Sequence, residues 1–465
     1  MSKVAQEAQI LLNNGDLKGA MRVVNAGLNK DPDDMAALMM ASCIVSRESC
    51  WGMSYNLLKH VADHSPPFPE IYNNLGMAAS SLASSSGKDK YLDEAERCLR
   101  KADKKAQGEQ RVAILANLAL VMFHQCRHVE AERLARECLA LDPSNVSARE
   151  TLGYARLYQG DWVEGFGNYE FTLGGKYRKV PKGTYWQRGD RNKKLLLIGE
   201  QGIGDEITYA SVIPDAAKHH QIIYECDKRL EGLMRRSLPV EVQGTRFEEE
   251  KPAREFDAVA LTGSLCMEYR REDHDFPRKG FLVADPERRL QWKALLDTLP
   301  GRKVGIAWTG GLDNTFKHRR SFNLEGLLPI LKTPGITWVS LQYNDPTAEL
   351  EAFKAKHGIE IRHWKRAVEK GVDYDETAAL VSELDCVVSV TTAIVHLCGA
   401  LGKRCFVLVP KRCRWFYASN DSRHRWYDSL ELFRQEDKWP VEKLAVRLSR
   451  EMWEKRGCYP AKECV

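Results

Sequence analysis

The sequence predicts an α plus α/β protein, a solenoid of helical hairpins followed by two Rossmann-like units. Three observations predict it. Prolines and Gly-Asp pairs recur with a period of 34 through the first 175 residues. From Lys194 on, short apolar runs alternate with helical patterns. Turns rich in glycine and hydroxyls follow those runs, and in parallel sheets ligands bind at the carboxyl ends of strands. A chain of 465 residues is also too long for one hydrophobic core, so about two to four domains are expected.

The bulk composition narrows the function classes. With 43% hydrophobic and 29% charged residues, the chain is an ordinary globular protein rather than a disordered one. A net charge of +5 permits an anionic partner without requiring one. No run of about 18 apolar residues exists, so no membrane span is expected. Met1 to Ile10 is polar and lacks a basic stretch followed by an apolar core, so it does not read as a secretory signal. The 13 cysteines include no Cys-x-x-Cys pair, which argues against a zinc site and for reduced thiols in a cytoplasmic protein.

Pro32 and Pro66 stand 34 residues apart, and Pro143 follows Pro32 by three such periods plus nine. Gly15-Asp16 and Gly160-Asp161 are separated by four periods plus the same nine. Two independent markers thus place one insertion between Pro66 and Pro143, assigned mainly to Ser84-Ser85-Ser86-Gly87-Lys88. A helix-turn-helix period of 34 is that of the tetratricopeptide repeat. Small residues fall where antiparallel helices must approach closely: Ala8, Ala20 and Gly27, then Gly76 and Ala95, then Ala119 and Ala131, then Gly153. About five repeats are expected, the second degenerate around Ser46 to Met53. One hairpin cannot bury its own apolar face, so the units must stack. Such an array binds a peptide or protein partner in its groove, or it has a structural or dimerising role.

The repeat domain is assigned to residues 1–175. Residues 176–190, with Pro181-Lys182-Gly183 inside, read as a linker. The first α/β unit is expected over 191–300, with strands at Lys194–Ile198, Ile222–Glu225, Val240–Val242 and Asp257–Leu261 and a helix from Glu206 to about Lys218. The second is expected over 301–440, with strands at Val304–Trp308, Thr337–Leu341, Ile359–Ile361, Cys386–Val390 and Cys405–Val409. Residues 441–465 form a helical tail expected to pack back on the other unit.

The chemistry sits at the ends of these strands. Gln201-Gly202-Ile203-Gly204-Asp205 leads into a helix, where glycines let a ligand approach the backbone and the helix N-terminus favours an anion or a polarised hydroxyl. Asp205 there is either a helix cap or a catalytic base. Gly199, Gly202 and Gly204 do not follow G-x-G-x-x-G, which speaks against a dehydrogenase. The stretch from Val388 to Gly402 is a buried strand ending in Thr391 and Thr392, then a helix from Ala393, which is the pattern of a phosphate nest. His396 near its first turn faces either that site or the core. Thr309-Gly310 ends another strand, and Gln342-Tyr343 a third.

The Val388–Gly402 stretch resembles the donor-binding segment of glycosyltransferase family 9, the heptosyltransferase-like enzymes of GT-B fold. Gly202 to Ile207 resembles that family's N-terminal glycine loop. Val304 to Gly311, Arg319-Arg320-Ser321, Ser340 to Tyr343 and Trp426 to Ser429 complete a collinear set similar to bacterial and phage proteins that fuse tetratricopeptide repeats to this domain. The layout is also similar to that of O-GlcNAc transferase. The resemblance spans roughly residues 5 to 440. It implies inverting transfer from a UDP-, GDP- or ADP-sugar, with no cofactor required and Asp205 as the base. It implies donor contacts from Thr309, Gly310, Arg319, Arg320, Gln342, Tyr343, Thr391, Thr392, Ala393 and His396, with Gln201, Gly202 and Gly204 on the acceptor side. The family carries an aspartate at the position of Thr391. A neutral hydroxyl can donate to a phosphate or sugar but cannot act as a carboxylate acceptor, so a different donor is expected.

Two further features bear on partners. Asp373-Tyr374-Asp375 reads as the D-x-D metal signature of another glycosyltransferase fold, but it precedes a helix and is assigned to capping, so no metal is expected. The Lys411–Tyr417 and Arg423–Tyr427 stretches interleave bases and aromatics, which suits a sugar-nucleotide pocket or a polyanion, with Trp415 and Tyr417 as stacking candidates. The acceptor is therefore expected to be a protein, a glycan or a hydroxylated base of DNA. An inactive repeat scaffold is the alternative that Thr391 keeps open.

Overall fold

The computed structural model describes residues 2–176, 184–249, 255–311, 317–368, 371, 373–418 and 422–454. They divide into two units, one running to Gln159 and the other comprising Gly160–Gly311 and Lys317–Val465.

The first unit is a run of helices: α1 (Lys3–Asn13), α2 (Leu17–Leu28), α3 (Met35–Arg47), α4 (Trp51–His64), α5 (Pro69–Ser86), α6 (Lys90–Asp103), α7 (Gly108–His124), α8 (His128–Leu141) and α9 (Val146–Gln159). Successive helices pack as antiparallel hairpins. The Gly-Asp marker has a physical cause. Gly15 takes the left-handed φ of 81° that ends α1, and the Asp16 carboxylate accepts from the Gly19 N–H at 2.7 Å to cap α2. The small residues are contact points. A Cβ on Gly27 would lie 2.6 Å from Val4, and one on Gly76 would lie 2.8 Å from Leu99. Ala8, Ala20, Ala95, Ala119 and Ala131 are fully buried. The inserted residues lengthen helices rather than a loop: α5 has 18 residues and α7 has 17, where α3 has 13. In the degenerate second hairpin, hydroxyls take over the close contact. Ser42 and Ser46 both reach the Ser54 hydroxyl at 2.8 Å.

The second unit opens with α10 (Trp162–Lys176), the helix expected to close the fifth repeat. It belongs with the α/β elements because its inward residues are aromatic. Trp162, Phe166 and Tyr169 are buried against Phe276, Trp415 and Tyr209. The first sheet holds β1 (Lys194–Ile198), β2 (Gln221–Glu225), β3 (Glu241–Gln243) and β4 (Ala258–Leu261), all parallel, in the order β3-β2-β1-β4. The second holds β5 (Arg302–Ala307), β6 (Ile336–Ser340), β7 (Ile361–Arg362), β8 (Cys386–Val390), β9 (Cys405–Val409) and β10 (Leu430–Arg434), again parallel, in the order β10-β9-β8-β5-β6-β7. β8 and β9 are buried along their whole length, as expected of strands covered on both faces. Strand order reverses between β1 and β4 and between β5 and β8, and such switch points open crevices for ligands.

Several expectations shift. The helix after β1, α11 (Ile203–Ala210), starts three residues early and stops short. Pro214 starts a separate turn, Ile213–Ala216, because it cannot extend the helix before it. β10 was not anticipated. It is an edge strand, and its Glu431 and Arg434 interrupt the apolar run. The tail helix Val441–Glu454 packs on the second sheet's own core, with Val441, Leu444 and Leu448 against Phe406, Leu327 and Leu331, not on the first α/β half. The chain also crosses to the second half before residue 300. The Phe281 and Leu282 N–H groups donate to the Ala400 carbonyl at 2.7 and 2.8 Å, and Trp292 donates its ring N–H to Glu376 at 3.0 Å.

Candidate active site

The loop from β1 into α11 carries the first group. Asp205 is the third residue of α11, not its cap, and its carboxylate accepts from the Gly202 N–H at 3.3 Å. Arg414, from the loop after β9, pairs with the same carboxylate at 3.1 Å. Gln201 has a φ of 55°, in the left-handed region that costs a non-glycine residue about 1–2 kcal/mol. Its carbonyl accepts from Arg246 at 2.7 Å, its amide donates to the Tyr169 hydroxyl, and its Oε1 lies 3.5 Å from Arg414. A strained residue held from several sides is characteristic of functional loops. Arg246 itself is buried in an ion pair with Glu206, which also accepts from the Asp227 N–H at 2.8 Å.

The second group stands at the switch point of the larger sheet. Gly310 packs against Thr392, and Gly311, at φ 88°, packs against the Arg320 guanidinium. Arg320 donates to the Thr391 carbonyl at 3.2 Å. The helix Ala393–Ala400 begins after Thr392, whose side chain makes no capping bond to its first N–H groups. The two switch-point helices pack side by side with their N-termini together. A Cβ on Gly204 would lie 3.1 Å from the Ala393 Cα and 3.0 Å from the His396 ring. The N-termini of α11 and of Ala393–Ala400 therefore converge, with one carboxylate and two guanidiniums beside them. Burial, and then the like charge of Arg414, pull Arg320 below the ordinary arginine range. Two cations held this close favour an anion.

The other predicted residues fall in different settings. Gln342 is buried, and its amide is bonded to Thr309 and to the Trp308 and Thr309 N–H groups at 3.3 Å, so these residues brace one another. Tyr343 reaches the Gly311 carbonyl at 3.5 Å. Arg319 is half-buried beside Arg320 on the turn Lys317–Arg320. Trp415 is buried among Trp162, Phe166, Phe416 and Trp426, and Tyr417 is buried against His396 and His424, so their faces meet protein and do not form an exposed stacking surface. His396 is buried with both ring nitrogens engaged, to Thr208 at 2.7 Å and Tyr417 at 3.1 Å. A phosphate contact would require breaking one of these.

Burial pushes His396 down to about 4 and pushes His424 the same way. A histidine with a lowered folded value stabilises fully above its unfolded value and loses that stability as pH falls. His396 should therefore cost about 2 kcal/mol by pH 5, within the window from 6.5 down to about 4. Urea midpoints at pH 7 and pH 5 should show this drop, and His396→Gln should shrink it. An identical drop in the variant would assign the acid sensitivity elsewhere.

The D-x-D carboxylates are committed to cations of the protein. Asp373 caps its helix through the Asp375 N–H at 3.0 Å and pairs with Arg288 at 2.9 Å. Asp375 is buried and takes Arg236 in a forked pair at 3.1 and 2.9 Å, which ties the two α/β halves together. Among the described residues no group of three or more His, Cys, Asp or Glu is placed to hold a metal ion, and no helix is long and apolar enough to cross a membrane.

Sequence reasoning overlooked Arg414, Arg246, Glu206 and Tyr169. Arg414 lies in the basic-aromatic stretch that drew attention only for its rings. Arg246 stands alone in a loop without a motif.

No family model matches the chain. One curated relative is protein FlbA of Caulobacter vibrioides, 28% identical over 430 residues, a match covering 86% of this chain and 70% of FlbA. Among solved structures, MamA is similar over 37% of this chain and 92% of its own, at 19% identity and a TM-score of 0.31. A glycosyl transferase of family 9 from Veillonella parvula is similar over 58% of this chain and all of its own, at 10% identity and a TM-score of 0.44.

Proposed function

We propose that the second unit is an inverting glycosyltransferase that uses a nucleotide sugar and needs no metal. The observation that carries this is the convergence of Asp205, Arg320 and Arg414 with two helix N-termini at the switch points of two parallel sheets. Asp205 takes the proton of the acceptor hydroxyl as that oxygen bonds to the anomeric carbon. The bond from that carbon to the diphosphate breaks on the opposite face. The leaving diphosphate collects its charge against Arg320, Arg414 and the N–H groups of the Ala393–Ala400 helix. The collinear motif resemblance to glycosyltransferase family 9 supports the same reading. The helical array then binds the macromolecular acceptor or a protein partner. The buried state of Trp415 and Tyr417 gives no support to base stacking, so a protein or glycan acceptor is favoured over DNA.

The test is nucleotide release from UDP-, GDP- and ADP-sugars, with protein, glycan and hydroxymethylated-DNA acceptors, with and without EDTA. One donor should release its nucleotide, and release should persist in EDTA. Release no faster than buffer for every donor would sink the reading, and complete loss restored by a divalent ion would remove its metal-free part. Arg320→Ala should weaken nucleotide diphosphate binding by about 10- to 150-fold, the worth of a charge-assisted contact of about 1.5–3 kcal/mol. Calorimetry with the released nucleotide measures it, and an unchanged affinity would leave Arg320 a structural brace of Gly311 and Thr391.

A further inference from the structure

We infer that Tyr169 is a positioning residue for the Asp205 loop, which makes α10 a working part of the transferase rather than the end of a docking array. This rests on the glycosyl-transfer reading above. Gln201 precedes Asp205 by four residues and keeps a left-handed backbone without being glycine. Such a conformation persists only where the surroundings hold it. Arg246 holds the carbonyl and Arg414 approaches Oε1, while Tyr169 receives the amide.

The same Tyr169 oxygen also accepts the Tyr209 hydroxyl at 3.0 Å. Tyr209 lies near the end of α11, the helix that carries Asp205. One phenol oxygen thus ties the loop before Asp205 to the helix after it. Both phenols are buried, and desolvation, with Glu200 and Asp205 nearby, pushes Tyr209 up so that it remains a donor. Removing the shared acceptor leaves the buried Tyr209 hydroxyl unpaired and releases the half-buried Gln201 amide.

The position of Tyr169 is itself fixed by its own helix. Trp162 donates its ring N–H to Asp273 at 2.9 Å, stacks edgewise on Phe276 with centroids 4.8 Å apart, and carries the Arg425 guanidinium 4.9 Å from its ring centre. Those contacts come from both α/β halves, so α10 is anchored where the two halves join. The repeat pattern asks for an aromatic ring at this position but not for its hydroxyl. The residue matters because of what it touches in the second unit.

The experiment uses the full-length protein. Tyr169→Phe keeps the buried ring and removes only the oxygen. It should lower kcat about 10-fold, leave the donor KM within about twofold and leave the pH-rate profile in place. Backbone amides of residues 199–205 should exchange about 10-fold faster, with little change in Tm. Gln201→Leu should have a similar effect, and in that background Tyr169→Phe should cost less than about twofold more. Wild-type kcat and wild-type amide exchange in Tyr169→Phe would overturn the inference. So would effects that simply add to those of Gln201→Leu. If the unmodified protein transfers no sugar from any donor, the functional reading fails instead, and amide exchange alone still decides whether Tyr169 holds the loop.

Discussion

Asp205→Asn is expected to lower transfer by about 100- to 10,000-fold, the usual worth of a general base, while donor affinity and Tm barely change. Asparagine keeps the shape and can still accept from the Gly202 N–H that Asp205 now engages at 3.3 Å. The variant also loses the ion pair with Arg414, but that guanidinium is half-exposed, so the stability change should stay within about 1 kcal/mol. Steady-state transfer, nucleotide calorimetry and a melting curve on the same sample separate the roles. An Asn variant that still transfers at a third of the normal rate would remove Asp205 from the mechanism. A large fall in Tm with normal turnover would make it a helix-start residue only.

Arg246→Met is expected to destabilise the second unit by about 3–5 kcal/mol. Glu206 is fully buried, and removing its guanidinium partner leaves a charge in the interior. The Tyr224 hydroxyl at 3.3 Å and the Asp227 N–H at 2.8 Å also bond Glu206, but neutral donors do not replace a paired cation. Glu206→Gln in the same chain should recover a good part of the loss, since the amide oxygen keeps the Asp227 bond and the charge is gone. Urea unfolding of the single and double variants decides it. A double variant no more stable than Arg246→Met would show that the arginine acts through its bond to the Gln201 carbonyl instead.

Much of the fold was legible because it rests on local and periodic rules. The Gly15-Asp16 marker is a helix end and a helix cap, and Gly27 and Gly76 are forced by neighbouring side chains. The apolar runs of β1, β8 and β9 are long enough to name buried parallel strands directly. The ends of β1, β5 and β8 carry the glycines and hydroxyls, so Asp205, Gly310 and Thr392 stand out by kind and place, whereas Arg320, on a turn, stands out only through the family resemblance. Trp415 and Tyr417 misled because an aromatic among basic residues looks the same in sequence whether it faces a ligand or the core. His396 left the same two readings open, and only its bonds to Thr208 and Tyr417 show which side it faces.

By itself the sequence determined the repeat period, the helix boundaries marked by Gly-Asp and proline, the alternation of strand and helix, and the residue types at strand ends. Each of these depends on neighbours within a few residues or on a fixed spacing. Tertiary structure alone decided that Arg414 meets Asp205 from 209 positions away, that Asp375 spends its charge on Arg236, and that α10 joins the second unit. The reason is physical. A side chain's partner across the interior is set by how two sheets and their covering helices pack, and no local pattern along the chain encodes that distance.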